Sequence, residues 1–329
     1  MTFSLPHHWV WDFWTVLDDG TVHLFYLHAP HSLGDPELRH RNASIGHATS
    51  TDFINWTDRG VVLGHGAEGD ADESATWTGS VFRGPDGVWR MYYTGSRFLS
   101  PTETTNIETV LLATSTDLHT WLKQPETALS ASLPWYETLA DGTWREEAWR
   151  DPWIEVDPAG NGWHMLITAR ARALPAGADS LDRGVIGHAV SGDLATWRAR
   201  EPLSSAGAGF AHLEVLQLAV VEGREVLVFS CDSAHLVGQR AGSKGGIWAV
   251  PIVSGSLFTG ELVDLDRAQL VVGEELYAGR IVQTANGAAL LGFENEGLDG
   301  AFVGRLSDPR PLYFTESGRL LATAQERTR

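Results

Sequence analysis

A nine-residue pattern, Ala-x-Ser-x-Asp-[Phe/Leu]-x-x-Trp, recurs three times in this 329-residue chain and restricts its fold more than any other feature. It occurs in GHATSTDFINW (Gly46 to Trp56), LLATSTDLHTW (Leu111 to Trp121) and GHAVSGDLATW (Gly187 to Trp197). Its aspartates, Asp52, Asp117 and Asp193, are 65 and then 76 residues apart. A second repeat precedes each copy, a Gly/Asp/Asn turn followed by a β-prone run: DGTVHLFYL from Asp19, DGVWRMYYT from Asp86 and GNGWHMLIT from Gly160. EGREVLVFS from Glu222 and NGAALLGF from Asn286 bring this series to five. Turn residues bounding runs of Val, Leu, Phe, Tyr and Trp are hairpin chemistry, and long helical periodicity is absent. Units of about 65 residues have room for a four-stranded antiparallel sheet plus loops. A sandwich does not require five similar units, and an open solenoid leaves strand edges unprotected. The expected fold is therefore all-β, a five-bladed β-propeller over residues 1–329, with GRLLATAQ from Gly318 as a candidate for completing the last blade.

In a propeller the first strand of each blade lines the central channel. Those strands are expected in WVWDFW, TWTGSVF from Thr76, WRDPWIEV from Trp149, HLEVLQLAV from His212 and LYAGRIVQT from Leu276. Asp12, Asp151 and Glu214 precede the β-prone runs at Val22, Trp163 and Val226 by 10, 12 and 12 residues, which suggests equivalent positions. Three carboxylates at one end of the channel drive their pKa values apart through burial and like charge. Such a split supplies one ionised nucleophile and one protonated acid, the equipment for cleaving a glycosidic bond. Tryptophans beside the acid can exclude water and stack on a sugar, and Arg150 is expected to hold Asp151 ionised and contact hydroxyls.

These residues carry a family resemblance. VWDFW resembles the nucleophile segment of glycoside hydrolase family 68 and, more loosely, of family 32. Trp77-Thr78-Gly79-Ser80 is similar to their Trp-Ser-Gly-Ser segment, and Trp149-Arg150-Asp151-Pro152 carries their Arg-Asp-Pro motif. The motifs span blades one to four in family order. The resemblance implies a five-bladed propeller acting on β-fructofuranosides by a retaining mechanism. It implies Asp12 as nucleophile, Asp151 as transition-state stabiliser, Glu214 as general acid/base, and Trp11, Trp77, Thr78 and Arg150 around the fructosyl unit. The chain departs from family 32 at Phe13 and Val215, where an Asn-Asp-Pro-type segment and a Cys are usual. It departs from family 68 at His212, which stands in place of an acid on the substrate's leaving-group side. No C-terminal β-sandwich of the family 32 kind is expected within these residues.

The formal charge of −18 opposes nucleic acid and anionic lipid, so a small carbohydrate is the expected partner, and the sequence does not fix an oligomeric state. No apolar run reaches the length of a membrane span. The N-terminus lacks a basic segment followed by an apolar one, and the single cysteine, Cys231, suits a reducing compartment and reads as a core residue. The expected location is thus the cytoplasm, which favours hydrolysis of a small imported fructoside over secreted polymer synthesis. No cofactor is expected and no metal is assigned, since no zinc or calcium spacing is present. The acidic stretch 66–74 reads as a solvated loop, and GSKGG (Gly242 to Gly246) as a rim loop. The Ser-x-Asp-x-x-x-Trp elements read as blade turns. Three alternatives stay open: an inverting arabinofuranosidase or xylosidase on a similar propeller, a fructosyltransferase, and a sugar-binding propeller without catalysis.

Overall fold

A computed structural model describes residues 3–132, 134–297 and 300–323. They form five antiparallel sheets, and the inner strands are His8–Asp18, Ala75–Arg83, Trp149–Val156, Glu214–Val221 and Leu276–Thr284. The β-prone runs following the Gly/Asp/Asn turns become the second strands, Thr21–Pro30, Trp89–Phe98, Trp163–Arg170, Arg224–Cys231 and Gly287–Glu296. Blade four starts at Glu214, two residues later than expected, so His212 belongs to the loop entering it. Leu320–Ala322 forms the outer strand of blade five, while Ala324 and Gln325 of the candidate tail lie outside the described residues. The helical elements among the described residues are all short 3-10 turns, and none is long and apolar enough to cross a membrane.

The repeated Asp motif forms the turn between the third and fourth strands of blades one to three. Asp52 Oδ1 accepts the N–H groups of Ile54 (2.9 Å) and Asn55 (2.7 Å), and the same contacts recur at Asp117 and Asp193. Phe53, Leu118 and Leu194 each adopt a left-handed conformation, φ 61 to 64°, which turns the chain sharply. Capping by the aspartate compensates that unfavourable geometry, which explains why Ser, Asp and Trp recur with the architecture and not with the chemistry.

Every inner strand is interrupted at one place. Pairing with the second strand shifts between Trp11 and Phe13, Trp77 and Gly79, Arg150 and Trp153, Glu214 and Gln217, and Tyr277 and Arg280. Each shift is a β-bulge that inserts one extra residue, bends the strand and re-aims its side chains. Asp151, Val215 and Ala278 occupy these bulges with φ of 59, 58 and 48°, a strained region for residues carrying a Cβ. Asp12 and Asp151 are therefore equivalent, as expected. Glu214 is not: it stands one position earlier, level with Trp11, Trp77, Arg150 and Tyr277, because Val226, from which it is counted, lies one residue closer to its bulge than Val22 and Trp163 do to theirs.

The bulges are tied together by Arg280 of blade five, which is 1% exposed. Its guanidinium donates to the carbonyls of Leu216 (2.7 Å) and Phe13 (3.3 Å) and lies 4.8 Å from the ring centre of Trp153. One cation thus satisfies carbonyls that the bulges remove from the sheet ladders of blades one and four. Arg280→Met is expected to lower stability by about 3 kcal/mol, since it leaves buried acceptors unpaired. Urea unfolding followed by tryptophan fluorescence measures this loss. An unchanged midpoint would show that Arg280 does not hold the axis together.

Candidate active site

The bulges open onto a cavity of about 440 Å³ at one end of the channel. All eight residues singled out from the sequence line it: Trp11, Asp12, Trp77, Thr78, Arg150, Asp151, His212 and Glu214. Asp151 is 2% exposed, whereas Asp12 and Glu214 are partly open to the cavity. Trp77 is fixed by its indole N–H, which donates to the carbonyl of His40 at 2.7 Å. That carbonyl belongs to the 3-10 segment Pro36–Asn42, a rim element above blade one. Trp14 is fully buried in the blade core and forms no part of the wall.

Each carboxylate has a different environment. Asp12 Oδ2 accepts a hydrogen bond from the Thr78 hydroxyl. Its desolvation, followed by the nearby charges of Asp151 and Glu214, pushes its pKa up to about 7 despite that bond. Asp151 also lies above its ordinary range, through burial first and against the pull of Arg150. Its Oδ2 faces the Thr168 hydroxyl at 2.8 Å and accepts the Val215 N–H at 3.0 Å. The same Thr168 hydroxyl lies 2.7 Å from the Leu213 carbonyl, so when its single proton goes there, Asp151 must supply the proton between them.

Glu214 goes the other way. Burial raises its pKa, but His212, Arg150 and a hydrogen bond from Tyr277 outweigh burial and hold it well below the usual carboxylate range. Arg150 Nη2 lies 2.8 Å from Glu214 Oε1, and the Tyr277 hydroxyl donates to Oε2 at 2.6 Å. The expected split between carboxylates is therefore present with its sense reversed in the free site: Asp12 and Asp151 are shifted toward the protonated form, and Glu214 toward the ionised form. The expectation that Arg150 holds Asp151 ionised is also corrected. Its guanidinium points toward Glu108 (3.0 Å) and Glu214, and only its Nε comes within 3.7 Å of Asp151.

Several residues in and behind the cavity wall were not legible in the sequence. Glu108 is fully buried, which pushes its pKa well up against the pull of Arg150, and grips that arginine from the third strand of blade two. Glu146 approaches Arg150 at 3.8 Å from a two-residue strand that pairs in parallel with blade two. Asp232 and His235 reach the wall from the loop after blade four's second strand. Tyr277 holds the pre-bulge position also occupied by Trp11, Trp77, Arg150 and Glu214, and its one signal in the sequence is its place in the expected inner strand of blade five. Of the acidic stretch 66–74, Asp72 is an anchor and not solvated: it is 3% exposed, pairs with Lys123 at 2.6 Å and accepts from Tyr93 at 2.9 Å. Cys231 is buried, and burial pushes its thiol well up, in keeping with a core role.

A five-bladed propeller with three carboxylates and an arginine in an axial cavity is the architecture of a glycoside-processing enzyme. The chain belongs to glycosyl hydrolases family 32: the model of that family's N-terminal domain matches residues 6–296. This is the family that the VWDFW segment resembles the more loosely. A fructan 6-exohydrolase of Beta vulgaris is 26% identical over 166 residues, half of this chain and 26% of that protein's length. The chain thus spans about a quarter of this curated relative. Among solved structures, the inulosucrase of Halalkalicoccus jeotgali bound to kestose superposes with a TM-score of 0.79 at 22% identity, covering 97% of this chain and 88% of that one. The family 32 β-fructofuranosidase of Bombyx mori gives 0.69 at 21% identity, covering 99% and 64%. At these identities the superpositions establish the common fold.

Proposed function

We propose that this chain is a retaining glycoside hydrolase that cleaves small β-fructofuranosides through a fructosyl ester on Asp12. The observation that carries this reading is the convergence of Asp12, Asp151 and Glu214 on one cavity, each in a different electrostatic setting. In this reading Asp12 attacks the anomeric carbon and Glu214 protonates the departing oxygen, then deprotonates the water that hydrolyses the ester. Asp151 and Arg150 hold fructosyl hydroxyls, while Trp11, Trp77 and Thr78 shape the sugar subsite. His212 borders the leaving group. The whole reaction lies within the one propeller, and the single buried cysteine supports a reducing compartment, the cytoplasm.

The free-site charges impose a proton rearrangement. Attack requires Asp12 ionised and Glu214 protonated, which carries the same number of protons as the resting arrangement. Substrate hydroxyls that draw Arg150 away from Glu214 favour moving the proton to Glu214, and Thr78 stabilises the Asp12 carboxylate left behind. The competent form is then a minor tautomer of the singly protonated site, and loss of its proton inactivates it. Accordingly kcat/KM is expected to fall tenfold per pH unit above about 7, the value to which Asp12 is raised. Initial rates on sucrose across pH 4 to about 9 measure this limb. A rate that rises through neutrality would show that ionising Asp12 alone activates the enzyme.

The assignment itself is tested by released sugar from sucrose, inulin and levan oligosaccharides and difructose anhydrides, with NMR of the first-formed anomer. Retention on a fructoside supports the reading. Inversion, turnover of arabinosides or xylosides only, or binding without turnover each overturns it. An added sugar acceptor that diverts fructose into longer products identifies transfer in place of hydrolysis.

A further inference from the structure

Arg150 is surrounded by more acid than the proposed reaction uses. Its Nη1 lies 3.0 and 3.2 Å from the two carboxyl oxygens of Glu108 and 3.8 Å from Glu146, while its Nη2 lies 2.8 Å from Glu214. Asp151 approaches Nε at 3.7 Å, but its Oδ2 is directed at the Thr168 hydroxyl and the Val215 N–H. Glu108 is fully buried, and its Oε2 also accepts the Trp149 N–H at 3.0 Å. Four carboxyls thus face one guanidinium in a desolvated setting, where burial and like charge prevent all four from ionising.

Two of these carboxyls are brought together by strand geometry. The short strand Glu146–Glu147 pairs in parallel with the third strand of blade two, Asn106–Ser115, and sets Glu146 opposite Asn106. Alternate residues of a strand share a face, so Glu108 projects on the same side as Asn106 and its neighbour Glu146. The two carboxyls hydrogen-bond to each other. Ionised carboxylates only accept, so this bond requires a proton on one of them. Burial draws that proton to Glu108, whereas at Glu146 the pull of Arg150 outweighs burial. Arg145 and His212, which is uncharged at neutral pH, are the other groups acting on Glu146.

We propose that Glu108 and Glu146 share one proton and serve as the reserve countercharge of Arg150, which allows Glu214 to become the protonated acid. The effect on Glu214 rests on the hydrolase function proposed above; the shared proton does not. In the free site the Arg150 charge is balanced from both ends, by Glu214 at Nη2 and by the pair at Nη1. When Glu214 takes up the proton it must donate, the first of these charges disappears. The single negative charge of the pair remains, so the buried guanidinium is not left uncompensated. Glu108 and Glu146 take no part in the bond exchange and are positioning residues that act through Arg150.

The test uses amide variants of the full chain and two substrates. Glu108→Gln and Glu146→Gln each leave one carboxylate hydrogen-bonded to an amide, which reproduces one tautomer of the pair, whereas the double variant removes its charge. The ratio of kcat/KM on sucrose to that on a nitrophenyl fructoside, whose leaving group needs no proton, is expected to keep its wild-type value in each single variant. In the double variant it is expected to fall by about tenfold or more, because Glu214 is then the main countercharge of Arg150 and releases its proton more readily. Infrared difference spectra of wild type against each single variant at pH 8 are expected to show one carboxylic-acid carbonyl band in the wild type that both variants lack. This measurement depends neither on turnover nor on the folding of the double variant. A ratio unchanged in the double variant, a single variant that lowers the ratio as far as the double does, or the absence of the acid band overturns the proposal. A wild type that shows the band and cleaves no fructoside leaves the shared proton standing and defeats the proposed hydrolase.

Discussion

Asp12→Asn is expected to abolish fructoside hydrolysis and, in the same protein, to raise stability at pH 8. Removing a covalent nucleophile costs roughly four or more orders of magnitude in kcat, as with other groups that act in a concerted site. The amide keeps the volume of the acid and can still meet the Thr78 hydroxyl, so lost activity cannot be assigned to collapse of the cavity. The stability gain follows from linkage. Asp12 is raised from 3.8 in the unfolded chain to about 7 in the fold, so the native state binds the extra proton between those values. Stability from this group is therefore full below about 4, declines as pH rises toward 7, and stays reduced above it. The shift corresponds to at most about 4 kcal/mol, and contact with cavity water reduces the expected gain to ~2 kcal/mol. Urea unfolding of wild type and variant at pH 4.5 and 8 measures it, with the two curves converging at the acid end. A variant that is inactive and no more stable at pH 8 would show that Asp12 is not held under electrostatic strain.

Glu214→Gln is expected to reduce sucrose hydrolysis by about 10³-fold, within the range for general acid–base catalysis, and to have much less effect on a nitrophenyl fructoside, whose leaving group needs no proton. Its stability effect has the opposite sign to that of Asp12→Asn. Glu214 is ionised in the fold, and Arg150 and Tyr277 bind that charge at 2.8 and 2.6 Å. Neutralising it leaves Arg150 buried with only part of its countercharge, at a cost of about 3 kcal/mol. Thermal unfolding and parallel kinetics on the two substrates measure both effects. Equal loss on both substrates would place Glu214 outside leaving-group protonation. Two catalytic carboxylates with opposite stability effects would show that the protein strains the nucleophile and supports the acid.

The periodic features of this protein were legible in the sequence because they are local. The Gly/Asp/Asn turns with β-prone runs, and the Ser-x-Asp-x-x-x-Trp caps, each concern a few neighbouring residues. Their repetition was enough to indicate five blades and the strands nearest the axis. Asp12, Asp151 and Glu214 could be selected because each lies 10 to 12 residues before such a repeat. The bulges were not visible, since inserting a residue changes the pairing partner and leaves the composition almost unchanged. Glu214 is one position out of register for a different reason, since the β-prone runs do not begin at equivalent points of their strands. The charge states were likewise beyond the sequence. They depend on Glu108 and Arg150 approaching from different blades, on Tyr277 reaching Glu214, and on Arg280 crossing the axis. The sequence by itself determined the number of blades and three of the acids that face the channel, since both follow from short-range periodicity. Only the tertiary structure decided which acid holds the proton, because electrostatic interaction depends on distances and burial between residues that the propeller brings together from far apart in the chain.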